Sequence, residues 1–174
     1  MKRSYVDTIR VTGSKARTKR LCAGVLMMPC WIGRNGGTHA KREGDGMSPV
    51  GRFRILRGWW RQDRRLPPRT GLAMRPTRKN NGWCDAPAHR CYNRLVPLPF
   101  PASFEEMWRA DHQYDVVLEI DWNVKPRISG RGSAIFLHLM ATNPGGTAGC
   151  VAVAPARIDR LMARIGRRTY IEIG

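Results

Sequence analysis

Apolar and polar residues alternate in short runs along much of the chain, a pattern typical of β-strands with one buried face. Successive side chains of a strand point to opposite faces, so each run buries every second residue. Turn segments rich in glycine separate several of the runs, which predicts short and closely connected strands. The predicted strands cover residues 6–12, 21–32, 53–59, 114–123, 134–139, 150–153 and 169–173.

Two segments have a helical pattern instead. Residues 103–110, "SFEEMWRA", place Ser103 and Glu106 at the spacing of a capping box, which predicts a short helix. Residues 155–166 begin with a proline and end with a glycine, as helices often do, and predict a second helix. The apolar stripe of this second helix comprises Ile158, Leu161, Met162 and Ile165.

Residues 61–100 show neither the alternation of a strand nor the pattern of a helix, and they are rich in proline, arginine, asparagine and glycine. A segment this long without periodicity is either disordered or a functional lid, and Trp83, Cys84 and Tyr92 favour an ordered lid. A length of 174 residues suits one domain with one substantial core. Residues 1–174 therefore predict a single, mainly β domain, a β-sandwich or rolled mixed sheet with two or three short helices.

The chain is strongly basic, with 31 lysines and arginines against 13 aspartates and glutamates and a net charge of +18. This charge suits nucleic acid, an anionic membrane surface or a carboxylate-rich polymer as a partner. The sequence has no zinc-finger spacing, no basic leucine zipper and no aromatic-basic RNA-binding signature, so nucleic acid is not expected. No apolar run approaches the roughly 20 residues of a membrane-spanning helix.

The basic stretch "KARTKR" precedes the apolar stretch "LCAGVLMMPCWIG", an order that also occurs in signal peptides. The apolar stretch contains Pro29 and Trp31, however, and no clean cleavage site follows it. A buried strand explains the stretch at least as well, so the sequence does not reveal an export route.

The five cysteines form no C-x-x-C pair, which gives little support to a structural zinc site. Cys84, His89 and Cys91 lie close enough in sequence to be three metal ligands. The favoured alternative is a loop with a Cys84–Cys91 disulfide or with free thiols. The sequence therefore predicts no metal site.

A histidine and a cysteine frame the stretch "FLHLMATNPGGTAGCVAV", in which His138 lies on one predicted strand and Cys150 begins the next. An imidazolium beside a thiol lowers the pKa of the thiol and holds the nucleophilic thiolate. Gly149 would let a substrate carbonyl approach, and the amides of Gly149 and Cys150 are candidate donors to an oxyanion. The alternative is that Cys150 is buried for packing alone.

Three stretches, in this order, resemble the L,D-transpeptidase (YkuD-type) catalytic domain family. The stretch "GDGMSPVGRFRI" resembles the Thr/Ser-Pro-x-Gly-x-Phe segment of the family, and "GRGSAIFLHL" resembles the strand that carries the catalytic histidine. The stretch "TAGCV" resembles the Ser/Thr-His-Gly-Cys nucleophile motif. The resemblance covers roughly residues 20–173 and implies that Cys150 is the nucleophile, His138 its base, Gly149 the motif glycine and Thr147 the motif hydroxyl residue.

The chain departs from the family pattern beside the expected nucleophile. Ala148 stands where the motif has histidine, Leu139 where a small or hydroxyl residue follows the catalytic histidine, and Ala152 where a polar residue follows the cysteine. These departures point to a divergent proteobacterial subgroup with altered pocket walls. The candidate substrate-binding residues are Arg131, Ser133, Leu139, Trp83 and Tyr92.

The resemblance implies an enzyme that acts on peptidoglycan stem peptides as a monomer in the periplasm or cell envelope, with a cytoplasmic location left open. The cysteine would form a thioester with a stem peptide, and an amine of a neighbouring stem would then make the cross-link, without a cofactor. The donor carbonyl would belong to the third stem residue, diaminopimelate, or to the first, L-Ala. A backbone carbonyl is expected to orient His138, with Asp121 or Tyr114 as less favoured partners.

Two other classes of function remain open. If water accepts the acyl group, the protein is an L,D-carboxypeptidase or amidase of the same polymer. If the cysteine is inert, the chain is a basic module that binds nucleic acid or the cell wall.

Overall fold

The structure is a computed structural model that describes residues 5–14, 17–141 and 145–174, most of which lie in strands and the turns that join them. The first seven strands are β1 (Thr8–Thr12), β2 (Thr18–Ala23), β3 (Leu26–Trp31), β4 (Gly37–Thr38), β5 (Ser48–Pro49), β6 (Gly51–Trp60) and β7 (Met74–Pro76). The other seven are β8 (Asn81–Cys84), β9 (Arg94–Pro97), β10 (Phe104–Glu106), β11 (Val116–Ile120), β12 (Phe136–Leu139), β13 (Val151–Val153) and β14 (Tyr170–Ile173). A 3₁₀ turn (Pro155–Arg157) and the helix α1 (Ile158–Met162) follow β13.

Nine of these strands form one mixed sheet that closes on itself. Their order is β11-β12-β13-β3-β2-β1-β14-β6-β7, and β11 also pairs with β6. The long strand β6 makes the closure, because residues 51–54 pair with β14 and residues 55–60 pair with β11. Three neighbouring pairs, β1–β14, β12–β13 and β6–β7, are parallel. The predicted rolled mixed sheet is confirmed.

The main core lies inside the closed sheet and follows the alternation of the strands. On β11, for example, Val116, Leu118 and Ile120 belong to this core, whereas Val117 points to the other face. Burial of every second side chain removes apolar area from water, and this burial stabilises a sheet whose strands are short.

A second apolar cluster lies on the outer face of β6, β11 and β12. It is covered by a smaller sheet with the strand order β10-β8-β9. Trp83 of β8 packs edge-to-face on Trp59 and on Phe136, with ring centroids 5.8 and 5.0 Å apart. Because Trp83 is 1% exposed, the smaller sheet is fixed to the larger one by a fully buried aromatic side chain.

The single strand predicted for residues 21–32 is wrong, because the chain folds here into a hairpin of β2 and β3. Gly24 lies at the turn with a φ of 62°, a conformation that glycine adopts without steric cost. The apolar stretch that resembled part of a signal peptide therefore lies mainly in the two strands of a hairpin.

The helix predicted for residues 103–110 is also wrong. Phe104–Glu106 is the strand β10, and Phe104 pairs with Cys84 of β8. The capping-box spacing is a local signal worth about 1 kcal/mol, and pairing with a buried strand outweighs it. One short α-helix and the 3₁₀ turn before it are the helical elements of the described residues, instead of two or three helices.

The lid predicted from residues 61–100 contains β7, β8 and β9, so it is more regular than its composition indicated. The C-terminal helix is shorter than the predicted 155–166, but its stripe is confirmed, since Ile158, Leu161, Met162 and Ile165 are at most 1% exposed. Within the described residues, the helical segments are too short and not apolar enough to cross a membrane.

Candidate active site

The two chemistry-bearing side chains point out of the closed sheet on the same face. Every second residue of β12 and β13 belongs to the main core, which leaves His138 and Cys150 on the outer face. The parallel register pairs His138 with Ala152, and Cys150 lies two residues before Ala152. Residues two apart along a strand share a face, so the imidazole and the thiol are neighbours across adjacent strands.

His138 is held by its backbone surroundings in one tautomer. Its Nδ1 lies 2.8 Å from the carbonyl oxygen of Leu139, and a carbonyl only accepts hydrogen bonds, so Nδ1 carries the proton and Nε2 is free to accept one. Burial lowers the pKa of His138 to about 4, so the ring is neutral at physiological pH. Asp121 lies beyond the far end of β11, where its amide donates to Arg54, and does not contribute to the site.

Cys150 is a protonated thiol in the resting site. Its Sγ accepts a hydrogen bond from the amide of Phe136 at 3.3 Å and donates one to the carbonyl of Ala134 at 3.1 Å. Burial raises the pKa of Cys150 to about 12. Thiol and imidazole are both uncharged at neutral pH, which differs from the imidazolium–thiolate pair expected from the sequence.

Ser48 anchors the loop that presents Cys150. Its buried Oγ donates to the carbonyl of Gly149 at 2.6 Å and accepts from the amide of Gly33 at 2.9 Å. Thr147 contributes a second anchor, because its Oγ1 donates to the carbonyl of Cys150 at 2.7 Å. These bonds explain why a hydroxyl residue before a proline belongs to the motif "GMSPVG", about 100 residues away from the cysteine.

The backbone around Cys150 leaves one of the two expected oxyanion donors free. The amide of Gly149 donates to Thr147 Oγ1 at 3.1 Å, whereas the amide of Cys150 has no hydrogen-bond partner among the described residues. Gly149 has a φ of 150°, and a Cβ there would lie 2.8 Å from the carbonyl oxygen of Met47. The close approach of two backbone segments therefore requires glycine at this position.

Thiol and imidazole open into a cavity of about 420 Å³. The charged residues among its described lining are Lys41, Glu43, Asp85, Glu105, Glu106 and Arg109. Lys41 is paired with Asp45 at 2.6 Å, and Arg109 forms an ion pair with Asp111. Carboxylates consequently predominate around Cys150, although the chain as a whole has a net charge of +18.

Comparison with known proteins decides the family. Residues 8–173 match the family model of the L,D-transpeptidase catalytic domain. The chain belongs to this family. The three stretches from which the resemblance was inferred, "GDGMSPVGRFRI", "GRGSAIFLHL" and "TAGCV", all lie inside the matched range.

Among solved structures, this L,D-transpeptidase domain is similar to the crystal structure of L,D-transpeptidase 1 from Mycobacterium tuberculosis, with 11% sequence identity and a TM-score of 0.38. The similarity covers 95% of this chain and 61% of the mycobacterial chain. No curated protein matches the sequence.

The candidate substrate-binding residues of this L,D-transpeptidase domain occupy different places. Ser133 lines the cavity, and its Oγ donates to Glu43 at 2.8 Å. The side chain of Leu139 belongs to the main core, so only its backbone carbonyl contributes to the site, through His138. Trp83 packs the smaller sheet against the larger one and does not line the cavity.

Tyr92 and Arg131 lie at the edge of the site. The hydroxyl of Tyr92 donates to Glu43, so Tyr92 supports a cavity wall without lining the cavity itself. Arg131 is exposed, and it lines a separate surface cavity of about 450 Å³ together with His39 and Arg42.

All five cysteines are free thiols. Cys84 is buried in β8, and burial raises its pKa, whereas Cys91 is partly exposed in the following turn. No group of three metal-binding side chains is found within residues 5–14, 17–141 and 145–174, so Cys84, His89 and Cys91 do not converge on one point.

The sequence did not single out several residues that build the site. Ser48 lies in one of the stretches that carried the resemblance, so its motif was the available signal. Lys41, Glu105 and Arg109 had no such signal, because they reach the cavity from segments that are remote from the histidine and the cysteine in sequence.

Proposed function

We propose that this L,D-transpeptidase domain cross-links peptidoglycan stem peptides through a thioester on Cys150, with His138 as the general base. The observation that supports this best is the outward placement of both side chains on adjacent parallel strands that open into one cavity. A buried cysteine that served packing alone would have no reason to lie beside a histidine with a free ring nitrogen.

In the first half-reaction, Nε2 of His138 accepts the S–H proton while Sγ of Cys150 attacks a peptide carbonyl carbon. The amide of Cys150 donates to the oxyanion that forms. The imidazolium then returns the proton to the leaving amine as the C–N bond breaks, and a thioester remains. Burial lowers the pKa of His138, so the resting ring is in the unprotonated form that can accept the thiol proton.

The thiol gives up its hydrogen bond to Ala134 when it loses its proton. The amide of Phe136, which already donates to Sγ, then stabilises the thiolate. General-base catalysis of this kind needs no preformed ion pair, which agrees with a neutral resting site.

In the second half-reaction, an amine of a neighbouring stem loses its extra proton to solvent, attacks the thioester carbonyl as the neutral amine and gives a second proton to His138. The C–S bond breaks, and the imidazolium reprotonates the sulfur. The carboxylates Glu43, Asp85, Glu105 and Glu106 support an amine acceptor over water, because their field attracts a cationic amine into the cavity. We therefore favour transfer over hydrolysis.

The donor carbonyl is that of the third stem residue, diaminopimelate, or that of the first, L-Ala. Of the departures from the family pattern, Ala148 lines the cavity, whereas Leu139 faces the main core and Ala152 lies buried beside His138. The altered part of the pocket wall is thus Ala148, which offers a donor peptide no side-chain hydrogen bond. We further infer that the enzyme works as a monomer in the cell envelope and does not act on nucleic acid.

A carbapenem tests the nucleophile, since its lactam carbonyl acylates reactive thiols. Intact-mass measurement should show one adduct on the parent protein and none on Cys150→Ala. The variant Cys91→Ser, which removes a partly exposed thiol outside the cavity, should keep the adduct. An adduct that persists in Cys150→Ala would contradict the assignment.

Incubation of the purified protein with digested sacculi tests the reaction itself. A transpeptidase produces dimers of stem peptides, whereas a carboxypeptidase shortens monomers and makes no dimer. Tandem mass spectrometry of the dimers then shows whether the donor residue is diaminopimelate or L-Ala. Shortened monomers without dimers would refute transfer and leave hydrolysis.

A further inference from the structure

Tyr114 lies against the imidazole of the proposed general base. Its side chain is 3% exposed and precedes β11, the strand that pairs with β12. The ring of Tyr114 meets the ring of His138 edge-to-face, with centroids 5.2 Å apart and an interplanar angle of 70°. Tyr114 and Cys150 also belong to the same apolar cluster on the outer face of the sheet.

The hydroxyl of Tyr114 is fixed by the smaller sheet. It donates a hydrogen bond to Oε1 of Glu105, which lies on β10. The guanidinium of Arg109 lies 3.9 Å from the same carboxylate oxygen and 5.2 Å from the centre of the Tyr114 ring. The phenol is therefore held at its ring and at its hydroxyl, so its orientation is defined.

The side chain of Tyr114 also lines the cavity into which the thiol of Cys150 opens. One side chain thus contacts the ring of His138 and shares a cavity wall with the thiol that this ring is proposed to deprotonate. Ala148, which lines the same cavity, has no polar side chain that could take part in orienting either group.

Among the residues that the structure describes, the His138 side chain makes one hydrogen bond, from Nδ1 to the carbonyl of Leu139. The ring turns only about its Cβ–Cγ bond, so this hydrogen bond and the packing of the Tyr114 ring against the imidazole together restrain χ2. We propose that Tyr114, held by Glu105, is the positioning residue that fixes the imidazole plane of His138 so that Nε2 faces the thiol of Cys150.

This inference rests on the proposed function and concerns the first proton transfer. Misplacing a proton acceptor by about 1 Å costs on the order of 100-fold in rate. Tyr114→Leu removes the ring contact and should lower the maximal rate of Cys150 acylation by a carbapenem by about 100-fold. Tyr114→Phe keeps the ring but loses the bond to Glu105, and it should lower that rate by about tenfold.

The inhibitor concentration at half-maximal rate should change little in both variants, because the proposed role is in chemistry and not in binding. Tyr170→Leu and Tyr170→Phe are the matched controls, since Tyr170 lies on β14, does not line the cavity and should leave the rate unchanged.

The nitrogen chemical shifts of His138 give a readout that does not depend on activity. The parent should show the pure Nδ1–H tautomer. In Tyr114→Leu the unrestrained ring should turn away from the carbonyl of Leu139, so the shifts should show an average of both tautomers. Near-ultraviolet circular dichroism checks that each variant is folded. If Tyr114→Leu does not fold, the acylation rate and the His138 nitrogen shifts of Tyr114→Phe test whether Tyr114 positions the ring.

A parental acylation rate and a pure tautomer in the Tyr114 variants would overturn the inference about Tyr114. The proposed function would still stand in that case if Cys150→Ala no longer forms the adduct. If the parent is neither acylated nor able to form dimers, the proposed function fails. The nitrogen shifts of His138 still decide in that case whether Tyr114 sets the state of the ring.

Discussion

Lowering the pH should destabilise the protein through His138, because its ring is buried and forms no ion pair with the residues that the structure describes. Burial holds the pKa of His138 at about 4, against 6.5 for an ordinary histidine. Between these two values the unfolded chain binds a proton that the folded chain does not. The contribution of His138 to the free energy of unfolding is therefore fully present above about pH 6.5. It decreases as the pH falls and is lost below about pH 4.

The size of the effect follows from the two pKa values. Each unit of difference corresponds to about 1.4 kcal/mol, so the full contribution is about 3 kcal/mol. Between about pH 7 and about pH 5, the free energy of unfolding should fall by about 2 kcal/mol through this residue. Arg109 adds to the depression of the His138 pKa, and Asp111 opposes it.

Urea unfolding at the two pH values measures the effect. Other groups titrate in the same range, and burial raises the pKa of Glu105 among them. The comparison is therefore made against His138→Gln, which keeps a polar side chain of similar size that does not titrate. The parent should lose about 2 kcal/mol more than His138→Gln between the two pH values. An equal loss in both proteins would show that His138 is not buried in its neutral form.

Two substitutions test how the loop before the cysteine is held. Ser48→Ala leaves the amide of Gly33 and the carbonyl of Gly149 without their buried partner, so urea unfolding should show a loss of about 1–3 kcal/mol, and an unchanged midpoint would contradict the anchor. Gly149→Ala places a methyl group 2.8 Å from the carbonyl oxygen of Met47, which should displace the loop that carries Cys150. Intact-mass time courses should then show the acylation rate of Cys150 lowered by about 100-fold or more. A parental rate would mean that the loop adapts to the methyl group.

The face on which His138 and Cys150 lie could be predicted from the sequence. In "IFLHL", the residues on either side of His138 are leucines, and in "CVAV" the valines alternate with Cys150 and Ala152. Alternation is a property of each strand by itself, so the apolar residues determined which side chains face the core and which face outward. The motif order gave the family for the same reason, since it is written in the linear sequence.

The surroundings of those side chains were decided by tertiary structure alone. Residues 103–110 have a local helical pattern, yet they form a strand that delivers Glu105 to the site, because pairing with β8 lies outside any local window. The same covering sheet buries the thiol and the imidazole, which makes both neutral where the sequence suggested an ion pair. The sequence by itself thus determined most strands of the closed sheet, their buried faces and the two candidate reactive residues. Only the folded chain decided which partners hold those groups and how each one is protonated, because pairing and desolvation depend on contacts between segments that are distant in sequence.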